Sequence, residues 1–134
     1  MAVIGGDFTE ITYNHPTLGS GIVFPKAAED STLNTGGFSE EDDNQMIDGG
    51  ANMITKLNRK RWSFETVVAW DMDSKTLENI EAMAASPVQA DWTFSHISGK
   101  VYAGTGKPVG DIEGNGNAAT FTLKVAGGGK MKQI

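Results

Sequence analysis

The fold class is decided by residues 61–70, which read RWSFETVVAW. One face of this stretch carries Trp62, Phe64, Thr66, Val68 and Trp70, and the other carries Arg61, Ser63, Glu65 and Val67. A period of two, rich in aromatic and β-branched residues, is typical of a half-buried β-strand. This is the clearest strand signal in the chain, and it predicts a protein built mainly of β-sheet.

The same alternation recurs further along the chain. Residues 90–96 place Ala90, Trp92, Phe94 and His96 on one face, and residues 119–126 do the same with Phe121, Leu123 and Val125. Shorter strands are predicted at residues 8–13, 20–24 and 100–103, with a turn at 14–19. The polar, glycine-rich residues 104–117 are predicted to form a loop.

One helix is predicted over about residues 73–86. Asp73 stands at the N-cap position, and Met72 and Leu77 stand at the two positions of a hydrophobic staple. The apolar stripe of the helix comprises Leu77, Ile80, Met83 and Ala84. Pro87 ends the helix, because its ring disfavours helical geometry at Ser86.

Residues 26–60 stand apart from these periodic segments. They contain two glycine pairs and a run of acids, and residues 26–50 show no period. We expect a long loop or hairpin arm that projects from the body. Six or seven strands and one helix, without β–helix–β alternation, predict an antiparallel β-sandwich or barrel with the helix packed on it, in one domain over residues 1–134.

Composition narrows the classes of function. The 134 residues contain no cysteine and carry a net charge of −6, which excludes disulfides and thiolate–metal sites and disfavours tight binding to nucleic acid. Residues 1–55 hold −8 of this charge and residues 56–134 hold +2. The chain has no apolar run of about 18 residues and no signal-peptide start, so we expect a soluble protein made in the cytoplasm.

Catalytic candidates are few. The two histidines are His15, expected to be exposed in a turn, and His96, expected to be a hydrogen-bonded core or edge residue. Residues 104–107 read GTGK but lack the first glycine and the following Ser or Thr of a phosphate-binding loop. We therefore expect a protein that is not an enzyme.

Candidate metal and nucleic-acid sites have simpler explanations. Asp71 and Asp73 resemble the start of a calcium loop, but the required glycine is replaced by Thr76. Asp111 and Glu113 suit a solvated turn. The basic residues near Trp62 could contact nucleic acid, but the acidic balance favours pairing with carboxylates. We expect no metal and no cofactor.

The end of the chain carries a resemblance to a known family. Residues 111–130 read DIEGNGNAATFTLKVAGGGK, and this stretch resembles the C-terminal part of tail tube proteins of contractile-tailed bacteriophages. The order of parts over residues 50–134 is also similar: a long strand, one short helix and three further strands.

The resemblance implies a structural virion protein that forms six-membered rings. The rings would stack into the inner tail tube and conduct DNA during infection. Implied partners are the chain itself, the tail sheath protein, the tape-measure protein, and the baseplate and tail-terminator proteins. The implied localisation is the phage tail, after synthesis in the bacterial host cytoplasm, and DNA would pass through the lumen without specific binding.

Charge suggests which residues make contacts between subunits. Stacked rings need two different complementary patches, and the chain has an acidic set and a basic set. We expect the acidic set of one subunit to meet the basic set of the next ring: Glu40, Glu41, Asp42, Asp43 and Asp48 against Lys56, Arg59, Lys60 and Arg61. Glu65 and Asp91 are candidates for an acidic lumen that would repel the DNA backbone.

Two alternatives remain open. The first is a small β-sandwich that binds carbohydrate or peptide on a platform of Trp62, Trp70 and Trp92. The second is a tube subunit of a related secretion system or of a non-contractile tail.

Overall fold

A computed structural model of the chain describes residues 3–42 and 44–134. Its strands, in chain order, are β1 (Phe8–His15), β2 (Gly19–Val23), β3 (Thr32–Asn34), β4 (Gly37–Ser39), β5 (Asn58–Lys60), β6 (Trp62–Ala69), β7 (Ala90–His96), β8 (Val101–Pro108), β9 (Gly114–Asn115), β10 (Thr120–Gly127) and β11 (Lys132–Gln133). One helix among the described residues, α1 (Thr76–Ala85), lies between β6 and β7. The prediction of a mainly β fold with one short helix is confirmed.

The strands form two antiparallel layers that are joined through β8. The hydrogen-bonded order is β2-β1-β7-β8-β10-β6-β3. β8 passes from one layer to the other, since its residues 101–106 pair with β7 while Lys107 and Pro108 pair with β10. On the far side, Pro25 bridges to Val68 just after β2 ends, so the chain also crosses between the layers there.

Aromatic side chains from the two layers meet in the core. Phe64 of β6 stacks on Phe94 of β7 with ring centroids 4.4 Å apart, and both side chains are fully buried. Trp62 approaches Phe94 edge-on at 5.9 Å. The side chains that the sequence alternation assigned to the apolar faces of β6 and β7 therefore meet in the core.

Three glycines make room for Trp62. A Cβ atom would stand 2.7 Å from the indole at Gly104 and at Gly127, and 2.8 Å from it at Gly106. The indole N–H donates to the Thr105 carbonyl at 3.2 Å. This close approach explains why β8 continues through residues 104–108, where the sequence predicted a loop: the glycines serve packing against a tryptophan, not a turn.

The helix starts later than predicted. Its N-cap is Lys75, with a left-handed backbone (φ 55°) and no capping side chain, so the prediction of Asp73 as the cap is wrong. Asp71 orders the preceding turn instead, because its Oδ1 accepts from the N–H groups of Asp73 and Ser74 at 3.0 and 3.3 Å. Met72 is 58 % exposed and forms no staple. The predicted C-terminal end of the helix is confirmed, because the backbone of Ser86 is extended.

Residues 26–60 divide into a sheet edge and an arm. β3 pairs with β6, so its residues belong to the body and the predicted start of the arm at residue 26 is wrong. β4 and β5 form a separate two-stranded ladder. The pairs Asn34–Ser63 and Gly37–Lys60 fall in one register. The arm, defined here as residues 37–60, therefore extends the β3–β6 hairpin beyond the body.

Candidate assembly surface

The arm is a hairpin with its own turn. β4 and β5 pair from Gly37–Lys60 to Ser39–Asn58, and a bridge joins Ile47 to Met53 nearer the tip. The main chain between them is held by a bond from the Ile54 N–H to the Met46 carbonyl at 2.9 Å. A two-stranded hairpin has no core of its own and is only marginally stable in water.

Large apolar side chains are concentrated on this hairpin. Six of them are exposed, by 39 to 66 %: Phe38, Met46, Ile47, Met53, Ile54 and Leu57. Ile47 and Met53 lie directly opposite each other across the hairpin and are 66 % and 64 % exposed. A concentration of exposed large apolar side chains on one hairpin makes it a candidate site of interaction with another molecule.

The structure brings the predicted acidic and basic residues together within one arm. Lys60 Nζ lies 2.5 Å from Glu41 Oε1. Glu40 Oε1 accepts from the Lys56 N–H at 3.0 Å and from the Asn44 side chain at 2.7 Å. Glu40, Glu41 and Lys60 are thus engaged inside their own subunit, an arrangement that the sequence pattern did not reveal. Asp43 lies outside the described residues.

The remaining charges of the two sets face solvent. Asp42, Lys56 and Arg61 are exposed. Arg59 is also exposed, and its guanidinium carbon lies 5.2 Å from the centre of the Phe38 ring, within the range of a cation–π contact. Asp42, Lys56 and Arg59 lie on the arm, and Arg61 lies at its base.

Asp48 orders the turn at the tip. Its Oδ1 accepts from the N–H groups of Gly50 and Asn52 at 2.8 and 3.0 Å. Hydrogen bonds from the Asn52 backbone, the Asn52 side chain and the Gly50 backbone lower the pKa of this carboxyl group. Asp48 therefore stabilises the turn of its own arm.

Glu65 and Asp91 lie on opposite outer faces of the body. Glu65 follows the buried Phe64 in β6, and Asp91 precedes the buried Trp92 in β7. Phe64 and Trp92 point into the core from different layers, so the two acids point outward from different layers. Asp91 accepts from Thr105 Oγ1 at 2.8 Å on the outer face of β7 and β8. A single lumen cannot be lined by both acids of one subunit.

The two histidines hold turns. His15 is only 2 % exposed, so the expectation of an exposed residue is wrong. Its Nδ1 accepts from the N–H groups of Thr17 and Leu18 at 3.1 and 3.0 Å, which leaves Nε2 to donate to the Val88 carbonyl at 3.1 Å. His96 Nδ1 lies 2.8 Å from Ser98 Oγ at the β7–β8 turn, in agreement with the structural role expected for it.

The tryptophans do not form a platform. Trp62 and Trp92 are fully buried, and Trp70 packs against the core with its indole N–H buried. Trp92 Nε1 donates to the Gly106 carbonyl at 3.0 Å. The interpretation of these residues as a carbohydrate- or peptide-binding surface loses its structural basis.

The other sequence motifs have local structural roles. Residues 104–107 lie in β8, and Lys107 Nζ donates to the Ser86 carbonyl at 2.8 Å. Asp111 and Glu113 are exposed. Within residues 3–42 and 44–134, no group of three or more His, Asp or Glu side chains is arranged to hold a metal ion. No helix in these ranges has the length and apolarity needed to cross a membrane.

Comparisons with known proteins identify no relative: no protein-family model matches the chain, and no curated protein matches its sequence.

Proposed function

We propose that this chain is a structural subunit that assembles with copies of itself into six-membered rings, stacked as the inner tail tube of a contractile-tailed bacteriophage. The observation that carries the proposal is the arm, a hairpin that extends beyond the body and exposes six large apolar side chains. The resemblance of residues 111–130 to tail tube proteins supplies the kind of assembly.

The arm is suited to contact between copies. Covering its apolar side chains with another surface lowers the free energy of association by about 25 cal/mol per Å² of apolar area removed from water. We propose that the arm of one copy binds the body of the next; these two surfaces differ, so the contact is head-to-tail and repeats from copy to copy. Repetition of this kind builds a stack of subunits.

Exposed charges lie on the arm and at its base. Because Glu41 and Lys60 already pair within one arm, Lys56, Arg59 and Arg61 are the basic residues available to a neighbouring copy. Charges at the rim of an interface act mainly on the rate and specificity of association. We therefore assign the affinity between rings to the apolar side chains and the choice of partner to these cations.

The layer β2-β1-β7-β8 is the better candidate for the tube wall. β2 is an open edge of the sheet order, and the outer face of this layer is built mostly of small polar side chains, such as Thr12, Thr93 and Thr105. Pairing such edges around a ring would remove exposed strand edges. In that arrangement Asp91 faces the lumen, and Glu65 lies on the opposite outer face.

A test of the proposal compares exposed apolar residues inside and outside the arm. We expect rings or tubes of the purified protein in negative-stain microscopy and a matching large species in analytical ultracentrifugation. The double variant Ile47→Ser, Met53→Ser should remain monomeric with unchanged melting temperature, because both side chains are exposed in the monomer. Met72→Ser, equally exposed on the body, is the control and should assemble.

The outcomes separate the possibilities. A wild-type chain that stays monomeric at high concentration contradicts the proposal and favours a partner other than itself. If the double variant assembles as well as Met72→Ser does, assembly occurs but the arm does not mediate it. A third variant, Lys56→Glu with Arg61→Glu, should slow assembly at low salt, and an unchanged rate would remove the role of these cations.

The further partners follow from the same proposal. A tube of this kind would enclose the tape-measure protein, bear the sheath on its outer surface and meet the baseplate and tail-terminator proteins at its ends. A tube of a secretion system or of a non-contractile tail would use the same arm, and co-purification with a sheath protein distinguishes the contractile tail.

A further inference from the structure

The C-terminal segment, residues 130–134, contacts two separate parts of the molecule. At its start, Lys130 bridges to Gly36, and the Met131 N–H donates to the Thr35 carbonyl at 2.8 Å. At its end, β11 pairs with Tyr102 and Ala103 of β8, and the Ile134 N–H donates to the Val101 carbonyl at 2.9 Å. The segment therefore links the base of the arm to β8.

The contact with the arm falls at a break in the ladder at the base of the arm. β3–β6 and β4–β5 share a register, but residues 35–36 lie between them and Gly36 pairs with Lys130. Gly36 is tightly enclosed by backbone atoms. A Cβ there would stand 2.6 Å from the Gly129 carbonyl oxygen, 2.7 Å from the Trp62 backbone nitrogen and 3.0 Å from the Lys60 carbonyl oxygen. Its φ of +75° also favours glycine. Both strands of the hairpin and the C-terminal segment meet at this point.

Met131 anchors the segment in the body. Its side chain is 5 % exposed and belongs to the core cluster that contains Trp62 and Phe94. The segment thus has a buried side chain between its two backbone attachments. A ladder is most easily bent where its pairing is interrupted, so a strand fixed at that point restricts the arm more than one placed elsewhere.

We propose that the C-terminal segment is a clamp that sets the direction of the arm relative to the body. With the clamp in place, the apolar side chains of the arm are presented in one orientation, and the entropy of ordering the arm does not have to be lost during association. The clamp itself rests on the contacts above, and its consequence for assembly rests on the proposed function.

The absence of native cysteine allows a direct measurement. Gln45→Cys on the arm and Thr122→Cys on β10 replace exposed residues and can carry two spin labels. Pulsed electron paramagnetic resonance then measures the distribution of distances between arm and body. Labelled chain is diluted with unlabelled chain so that distances between subunits do not contribute.

Three truncations separate the clamp from folding. Removal of residues 130–134 should broaden the distance distribution severalfold relative to the full chain. Removal of residues 132–134 keeps Met131 and its bond to Thr35 but loses the attachment to β8, and should also broaden it. Removal of Ile134 alone, the matched control, loses one backbone bond and should leave the distribution narrow. Near-ultraviolet circular dichroism of the buried tryptophans reports whether the body remains folded.

The result decides between a clamp and a passive tail. A distribution that stays narrow in the 132–134 truncation, with a folded body, overturns the proposal. If the distribution broadens and assembly is lost together, the clamp acts on assembly. If the distribution broadens while the wild-type chain forms no rings, the clamp stands and the proposed function fails.

Discussion

Trp62 shows how single residues organise the packing of this molecule. Its indole fills the space left by Gly104, Gly106 and Gly127, and its N–H is satisfied by the Thr105 carbonyl. The glycines are therefore as important to the core as the tryptophan. A buried indole with a bonded N–H contributes both apolar area and a satisfied polar group.

Gly106→Ala tests this packing. The added Cβ would stand 2.2 Å from the Ala126 carbonyl oxygen and 2.8 Å from the Trp62 ring, so strand and ring must both shift. We expect a loss of about 1–3 kcal/mol in the free energy of unfolding, as for other overpacked cores. Chemical denaturation followed by tryptophan fluorescence measures it. Gly116→Ala has open space around its Cβ and should show little loss; equal losses would contradict the packing argument.

Asp48 gives the arm a dependence on pH. Its pKa in the folded protein is lowered from 3.8 by hydrogen bonds from Asn52 and Gly50. A lowered folded-state pKa means that the stabilisation is fully present above pH 3.8 and is lost as the pH falls through the lower value. We expect the protection factors of the Gly50 and Asn52 amides, which correct for the intrinsic pH dependence of exchange, to fall as the pH falls through the lowered pKa; nuclear magnetic resonance measures them.

The matched variant is Asp48→Ala, which lacks the titrating group. The protection factors of its Gly50 and Asn52 amides should be low at every pH and show no transition. A transition of equal size in this variant would contradict the assignment of the pH dependence to Asp48.

At the scale of elements, the arm differs from the strands of the body. Each long strand of the body buries one face in a shared core, as β6 does with Trp62, Phe64 and Val68. The arm buries little, and its shape depends on the turn of Asp48, the Glu41–Lys60 pair and the junction at Gly36. Exposed pairs such as Glu41–Lys60 contribute little stability, so the arm gains little from its own side-chain contacts.

The helix is a second case in which neighbours decide an element's boundary. Its apolar stripe was evident in the sequence, and Ile80 and Met83 are buried as expected. Its start depends on the turn made by Asp71 and on a bond from the Asp71 N–H to Thr76 Oγ1 at 3.0 Å. The sequence pattern pointed to Asp73 as the cap, but the turn ordered by Asp71 places Lys75 at the N-cap position.

At the scale of the whole molecule, the two outer faces have different surroundings in the proposed tube. Six copies at a net charge of −6 give roughly 36 negative charges per ring, and those facing the lumen would repel the DNA backbone. Only one outer face can line the lumen, so Asp91 and Glu65 must differ in accessibility once tubes have formed.

Cysteine labelling after assembly tests this difference. Asp91→Cys should be shielded from a large maleimide–polyethylene glycol in assembled tubes, because the reagent is excluded from the lumen, while Glu65→Cys should react. Both should react equally in the unassembled chain, since Asp91 and Glu65 are exposed there. The reverse pattern would assign the lumen to the layer that contains β6.

The long strands and their buried faces could be predicted from local sequence patterns. The pattern of residues 61–70, 90–96 and 119–126 predicted β6, β7 and β10 to within a residue at each end. Alternation is a local property, because every second side chain of a strand points to the same face. The mainly β fold with one short helix followed from these segments, and the expectation of a loop or hairpin arm followed from the lack of period in residues 26–50.

The contacts between distant segments could not be predicted from the sequence and became visible in the three-dimensional structure. The continuation of β8 through its glycines, the burial of His15 against Val88, the pairing of Glu41 with Lys60 and the contact of Gly36 with Lys130 each join parts of the chain far apart in sequence. Local patterns report which face of an element is apolar. They do not report which neighbour fills the space beside a glycine or accepts a hydrogen bond, because packing of the whole chain fixes that choice.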